Sequence, residues 1–325
     1  MVAEPPELLA FLRRRQVLVH EQRAARAAYA YGVDLRRTRW IAGSGAGQTL
    51  LRAVDRRWAR LLGHLDQARC VPRDAALPQP LMRATLELAR MLRAPLPTLR
   101  CSRQDATPWP MFVPLAPTQA SAHLLVVDTR AWEQADEPTR AFLLASALGH
   151  LQCDHGVMFA AHLLAHVAGR GLALVRTASS LWSKVGFFSA DRAGLLASND
   201  LEAAQRALSW AQADVPDWWP VGPDLELRKR ALADFDHASV VATLRAKRRT
   251  ANGSHTPKSE SLLDADGAAA QEADPSAGHA SSQHELVTDP SSASLVEPPA
   301  ELPTMSPGWS LARCDERLTR HLGLL

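Results

Sequence analysis

The chain has 325 residues, 46% hydrophobic and 22% charged, enough apolar material for a sizeable buried core. Its formal charge of +3 joins two unlike parts: residues 251–305 hold nine acidic groups against one basic group, Lys258, while the remainder holds 36 basic and 25 acidic groups, a charge of +11. No run of eighteen apolar residues is present, which excludes an apolar membrane span, and the first dozen residues lack the basic-then-apolar pattern of a secretory signal.

From the N-terminus, Pro5-Pro6 precede a helical pattern over residues 7–30, with Leu8, Phe11, Leu12, Val19 and Ala27 apolar and five arginines on the other sides. The arginines read as a solvated face, since no nucleic-acid motif accompanies them. Residues 42–49, Ala-Gly-Ser-Gly-Ala-Gly-Gln-Thr, resemble a phosphate loop only superficially, because Gln48 stands where the lysine belongs and Ala42 where the first glycine belongs. They are expected to form a turn before a helix over residues 48–68. Another helix is predicted over residues 80–92.

The pattern then changes. Prolines at 95, 97, 108, 110, 114 and 117 punctuate short apolar runs, and residues 97–101, 111–113 and 123–127 are predicted strands of a small sheet. Helices follow over residues 138–154, with Pro138 in the first turn, and over 159–167, 172–196 and 201–211, the last capped by Asn199-Asp200. A final helix of the body is predicted over residues 225–248, after a Trp218-Trp219-Pro220 turn.

Residues 251–305 combine low hydrophobicity, charge excess and no aromatics, so they are expected to remain a disordered acidic linker. Beyond it, Leu311, Cys314, Leu318, Leu322 and Leu325 recur at three- and four-residue steps behind Trp309, the stripe of an amphipathic helix. A flexible linker of this length spans on the order of 40 Å, so this helix can reach a protein partner or fold back on the body. Trp309, Leu311, Leu318, Leu322 and Leu325 are the partner-binding candidates.

Two segments carry the chemistry. The first is residues 140–156, with Ser146-Ala147-Leu148-Gly149-His150 and then Cys153-Asp154-His155. The second is residues 181–196, Leu-Trp-Ser-Lys-Val-Gly-Phe-Phe-Ser-Ala-Asp-Arg-Ala-Gly-Leu-Leu, followed by Asp200-Leu-Glu-Ala-Ala. Together they resemble the zinc metallopeptidase family M-forty-eight, the HtpX-like gluzincins, over roughly residues 97–211. The family's helix typically reads LxxHELGHxxxxH, and its later block contains S-A-D-R-A-G-L-L followed by D-x-E-A-A. The resemblance implies an α+β, predominantly α-helical, zincin-like body with a small sheet. It also implies where the zinc chemistry would sit. Ser146 holds the first-histidine position, Ala147 the general-base position, His150 the second-histidine position and Phe187 the third-ligand position, while Asp191 matches a residue that supports the metal site by hydrogen bonding.

Such enzymes need two histidines one helical turn apart, a third ligand and a carboxylate base. Here two of three ligands and the base are absent, so no catalytic residue and no cofactor are expected. Phe187 is expected to fill the volume left beside Ser146 and Ala147, and Asp191 to form a hydrogen bond or ion pair that orients its helix. A relocated metal cluster would draw on His150, Cys153, Asp154, His155, His162 and His166, with His162 and His166 at an i, i+4 step. Cys153 between two histidines hints at a thiol nucleophile, but neighbours on one helix cannot make a normal triad. The four scattered cysteines, Cys70, Cys101, Cys153 and Cys314, point to a reducing, cytoplasmic setting rather than a disulfide framework. The Ala-, Arg- and Leu-rich composition is compatible with a GC-rich bacterial genome.

The expected organisation is therefore an N-terminal helical segment (1–95), a metallopeptidase-like domain (96–249), an acidic linker (250–305) and a C-terminal amphipathic helix (306–325). The leading functional expectation is a pseudo-peptidase that binds, regulates or scaffolds through the C-terminal helix or the basic body. The alternatives are an active zinc metalloendopeptidase-like hydrolase with displaced ligands, and a structural subunit of a larger complex with Trp218 and Trp219 on its contact surface.

Overall fold

The computed structural model describes residues 18–71, 77–103, 106, 109–117, 123–168, 173–212, 215–253 and 308–323. The chain divides into two units, Met1–Arg248 with Pro307–Leu325, and Arg249–Ser306. In the second unit only residues 249–253, the end of a helix, are described. The predicted acidic linker beyond residue 253, residues 7–17 of the first predicted helix and Leu325 lie outside the described residues, while residues 250–253, expected in the linker, are helical.

In chain order the helices α1 (18–27), α2 (Gly32–Gly43), α3 (Gly45–Ala68) and α4 (Gln79–Leu92) precede the strands β1 (Thr98–Cys101), β2 (Phe112–Leu115) and β3 (Leu124–Val127). Helices α5 (Thr129–Gln134), α6 (Glu137–Gln152), α7 (Gly156–Ala168), α8 (Ala173–Ser198), α9 (Leu201–Gln212), α10 (Leu225–Asp236), α11 (Ser239–Gly253) and α12 (Leu311–His321) follow. The architecture is thus predominantly helical with one small sheet.

The sheet has the order β1-β3-β2, with β1 parallel to β3 from Thr98↔Leu124 to Cys101↔Val127. Strand β2 runs antiparallel to β3, from Phe112↔Val127 to Leu115↔Leu124. Every residue of β3 is buried, because alternate side chains enter different apolar clusters: Leu125 and Val127 one, Leu124 and Val126 the other.

Helix α6 lies at the centre. Its Leu144-Ala-Ser-Ala-Leu-Gly-His-Leu-Gln152 run is buried on every side, the pattern of a core helix rather than a surface one. Asp136 starts it by accepting a hydrogen bond from the Thr139 amide at 2.9 Å. Small residues let α6 and α8 approach closely: a Cβ on Gly149 would stand 2.7 Å from the Ala193 Cβ, and one on Gly194 2.5 Å from Ser146 Oγ. The contact of α6 with α8 sets the two chemistry-bearing segments face to face.

Three elements differ from expectation. Residues 32–43 form α2, a helix with no clear apolar stripe, held instead by a buried acid, Asp34. The turn expected over residues 42–49 shrinks to Ser44, which ends α2 and caps α3 by accepting from the Gly47 amide at 3.1 Å. The helix predicted over residues 225–248 breaks at His237-Ala238. There the segment before α12 inserts: the Ser239 amide donates to the Trp309 carbonyl (2.8 Å), and the Trp309 amide to the His237 carbonyl (2.7 Å). Periodicity within residues 225–248 holds no trace of a partner from residue 309.

Helix α12 thus docks on its own chain. Cys314 and Leu318 are buried, Trp309, Leu311 and Leu322 are half-buried, and Trp309 stacks under the guanidinium groups of Arg313 and Arg317 at 4.3 and 5.0 Å. The dock is also polar. Arg192, 2% exposed on α8, donates to Asp315 at 2.7 Å, and the other oxygen of Asp315 accepts from the Gly32 amide at 2.9 Å. Tyr31 and Thr319 share a hydroxyl hydrogen bond of 2.8 Å.

Candidate functional site

Ser146, Ala147 and His150 project from one side of α6, and Phe187 and Asp191 from α8, so all five line one cavity of about 460 Å³. The cavity is walled by aromatic rings, among them Trp109, Phe112, Phe142 and Trp219. The positions brought together by the family resemblance are therefore brought together in space. The expectation that Phe187 closes the site is corrected: its ring is buried, yet open volume persists beside Ser146 and Ala147. The ring is instead packed as a wall, edge-on to His150 (centroids 5.1 Å) and to Phe159 (6.2 Å).

Asp191 is fully engaged. Arg228 of α10 grips it with both arms of its fork, Nε to Oδ2 at 2.8 Å and Nη2 to Oδ1 at 2.6 Å, and lays its guanidinium 4.8 Å from the Phe187 centroid. Burial pushes the Asp191 carboxyl up from its ordinary range, and Arg228 pulls against that shift. The side chain that the resemblance assigns to metal support thus serves to hold α10 to α8.

His150 sits at the end of a buried polar chain. Its Nδ1 lies 3.0 Å from His155 Nδ1, His155 Nε2 lies 2.9 Å from Asp34 Oδ1, and Ser189 Oγ donates to Asp34 Oδ2 at 2.5 Å. Ser189 in turn accepts from the Tyr31 amide at 3.0 Å. One proton lies between the two Nδ1 atoms, donated by either ring according to its tautomer. Burial, then the neighbouring His155, then the Arg228 cation hold the His150 pKa well below its ordinary value.

Ser146 has no role in this chain. Its Oγ is buried against the Gly194 position without a hydrogen-bond partner among the described residues. Ala147 contributes only wall. At the three positions the resemblance assigns to zinc ligands stand a hydroxyl, one imidazole and a phenyl ring, and this donor set does not fit a zinc ion.

The six residues of the alternative metal cluster do not converge, although His150 and His155 touch at 3.0 Å. Asp154, at φ 64°, pairs with Arg26 at 2.7 Å and not with His150. His155 faces Asp34, and Cys153 is buried with its thiol pushed far up by desolvation, which removes it as a nucleophile. His162 is buried while His166, one turn further on, is exposed, so the two imidazoles do not sit in one enclosed site. Among the described residues no three His, Cys, Asp or Glu side chains converge on a point where a metal could sit.

Trp218 is 2% exposed and packs on Trp109 (centroids 4.9 Å), and Trp219 packs on Phe159 (4.8 Å). Trp218 is thus internal packing, while Trp219 is half-buried and lines the cavity. Asp34, Ser189 and Arg228 were not among the sequence candidates. Asp34 lies 121 residues from its histidine partner, and Arg228 lies among the charged residues of an amphipathic helix.

Comparison with the models of known protein families, with characterised proteins and with solved structures finds no match. No helix among the described residues is long and apolar enough to cross a membrane.

Proposed function

We propose that the chain is a catalytically inactive metallopeptidase-like protein, a pseudo-peptidase, acting as a protein-binding, regulatory or scaffold module. The observation that carries the reading is the occupancy of the assigned zinc positions. One imidazole remains, a phenyl ring stands 5.1 Å from it, and the supporting aspartate is given over to an arginine. A lone histidine beside an apolar ring and a guanidinium cation does not hold zinc, and an alanine moves no proton.

The partner in this reading meets the basic body. The apolar stripe of α12 serves in cis, so the earlier candidates Trp309, Leu311, Leu318 and Leu322 act in docking that helix. A cytoplasmic setting belongs to the same reading, supported by four buried, unpaired cysteines.

A peptidase assay tests it. The full chain, supplied with zinc, is expected to cleave a denatured protein substrate no faster than its His150→Ala variant. Zinc-dependent cleavage that disappears in His150→Ala would overturn the proposal in favour of an active hydrolase.

A further inference from the structure

We infer that α12 is a clasp on the cavity: seated on the body it caps α2, and through Asp34 it fixes the histidine pair that ends in the cavity wall. The inference goes beyond the proposed function, since it concerns how the cavity wall is held and not what chemistry the cavity lacks.

Helix α2 does not carry its own support. It has 12 residues, no clear apolar stripe and, at its N-cap Tyr31, no side-chain capping bond. A helix of that length is marginal in isolation and needs a cap or a buried face to persist. The cap arrives from 283 residues away: Asp315 Oδ2 accepts from the Gly32 amide at 2.9 Å, a carboxylate at the positive end of the helix. Its other oxygen holds Arg192 at 2.7 Å, and among the described residues no other acid pairs with that buried guanidinium. Thr319, one turn further along α12, adds a second link at the Tyr31 hydroxyl, 2.8 Å away.

The capped end of α2 is also where the polar chain begins. The Tyr31 amide donates to Ser189 Oγ (3.0 Å), Ser189 to Asp34 Oδ2 (2.5 Å), Asp34 Oδ1 lies 2.9 Å from His155 Nε2, and His155 lies 3.0 Å from His150 in the cavity wall. Asp34, Ser189, His155 and His150 are all buried, so none can trade its partner for water without opening the structure. If the first turn of α2 shifts, Asp34 shifts with it and His155 loses its acid. A half-satisfied series of buried polar groups is costly, so this one is engaged as a whole or released as a whole.

The clasp is the weaker end of the series. Helix α12 is 11 residues long, is anchored by two buried side chains, Cys314 and Leu318, and its acid pair is open to water on the Asp315 side. Alone it is marginal as a helix, so it leaves its seat by unfolding. Withdrawing residues 309–321 from the body removes the cap of α2 and slackens the hold on His150. By linkage, a ligand held against His150 tightens the clasp.

Amide hydrogen exchange of the full chain, with the histidine Cε1–H resonances followed by NMR on the same sample at one pH, tests the coupling. Asp315→Ala is expected to speed exchange at least about tenfold in α12 and in the first turn of α2, while amides of α4 and of residues 144–149 in α6 change by less than about twofold. The same variant is expected to move the resonances of both His150 and His155. Thr319→Val, which leaves the acid pair in place, is expected to give the same pattern at smaller amplitude, and it decides the question if Asp315→Ala does not fold. Asp136→Ala, which weakens α6 at its start, controls for general destabilisation and is expected to leave α2 and both resonances unchanged. Faster exchange in α12 with α2 unchanged, a loosened α2 with the histidine resonances unmoved, equal acceleration in every helix, or the same response to Asp136→Ala would overturn the inference.

Discussion

Asp191 and Arg192 are neighbours on α8, both buried and both charged, yet they serve opposite sides of the molecule. Asp191 faces the cavity and binds Arg228 of α10, with 3% and 10% of the two side chains exposed. Arg192 faces away and binds Asp315 of α12, with 2% and 23% exposed. The first pair is sealed and the second opens on one side to water. A buried pair adds little net stability over a well-packed apolar substitute, but removing one partner strands a charge, and the penalty grows with burial. The comparison therefore teaches that the pair on the cleft side of α8 costs more to break, whereas the C-terminal dock is held by a partly solvated clamp.

The largest expected effect comes from breaking the sealed pair. Arg228→Ala strands Asp191 and removes the cover of Phe187, so a loss on the order of 3–5 kcal/mol is expected in chemical denaturation. Asp315→Ala breaks the open pair, leaves the Gly32 amide without its side-chain acceptor and Arg192 with the Tyr29 carbonyl, and is expected to cost about 1.5–3 kcal/mol, the range for hydrogen bonds to charged groups. If Asp315→Ala costs as much as Arg228→Ala, the two sides of α8 do not differ as argued.

Acid sharpens the same contrast on the cavity side. The folded-state pKa of His150 is depressed, so the unfolded chain binds the proton first and stability falls as pH drops below about 6.5. Each such group contributes a slope of up to about 1.4 kcal/mol per pH unit. His150→Phe is expected to flatten the fall between neutral pH and pH 5, leaving the smaller share from His123 and His64, which burial depresses in the same direction. An unchanged slope would show that His150 takes up its proton as readily in the folded chain as in the unfolded one. The smallest effect belongs to a helix start remote from both pairs: Asp136→Ala removes the α6 cap and is expected to cost about 1 kcal/mol, measured as a shift of the denaturation midpoint at constant slope.

Much of the architecture was legible in the residues. Helix α4, the three strands and α6 to α9 follow from periodicity, prolines and caps that act within a few residues. The face shared by Ser146, His150, Phe187 and Asp191 was legible because helical spacing and a motif resemblance fix it. What was not legible depends on contacts across the chain. Asp34 takes its meaning from His155 and Ser189, and the break between α10 and α11 from Trp309. The open cavity was also hidden, because residue types alone do not tell whether a phenyl ring fills a space or walls it. Phe187 walls it because Arg228 and His150 hold the ring from two directions.

Metal content tests the central claim most directly. The full chain, purified without chelator and then dialysed against a small excess of zinc, is predicted to retain no stoichiometric metal, and His150→Ala to be indistinguishable from it. One zinc per chain in the parent protein, lost in His150→Ala, would contradict the account.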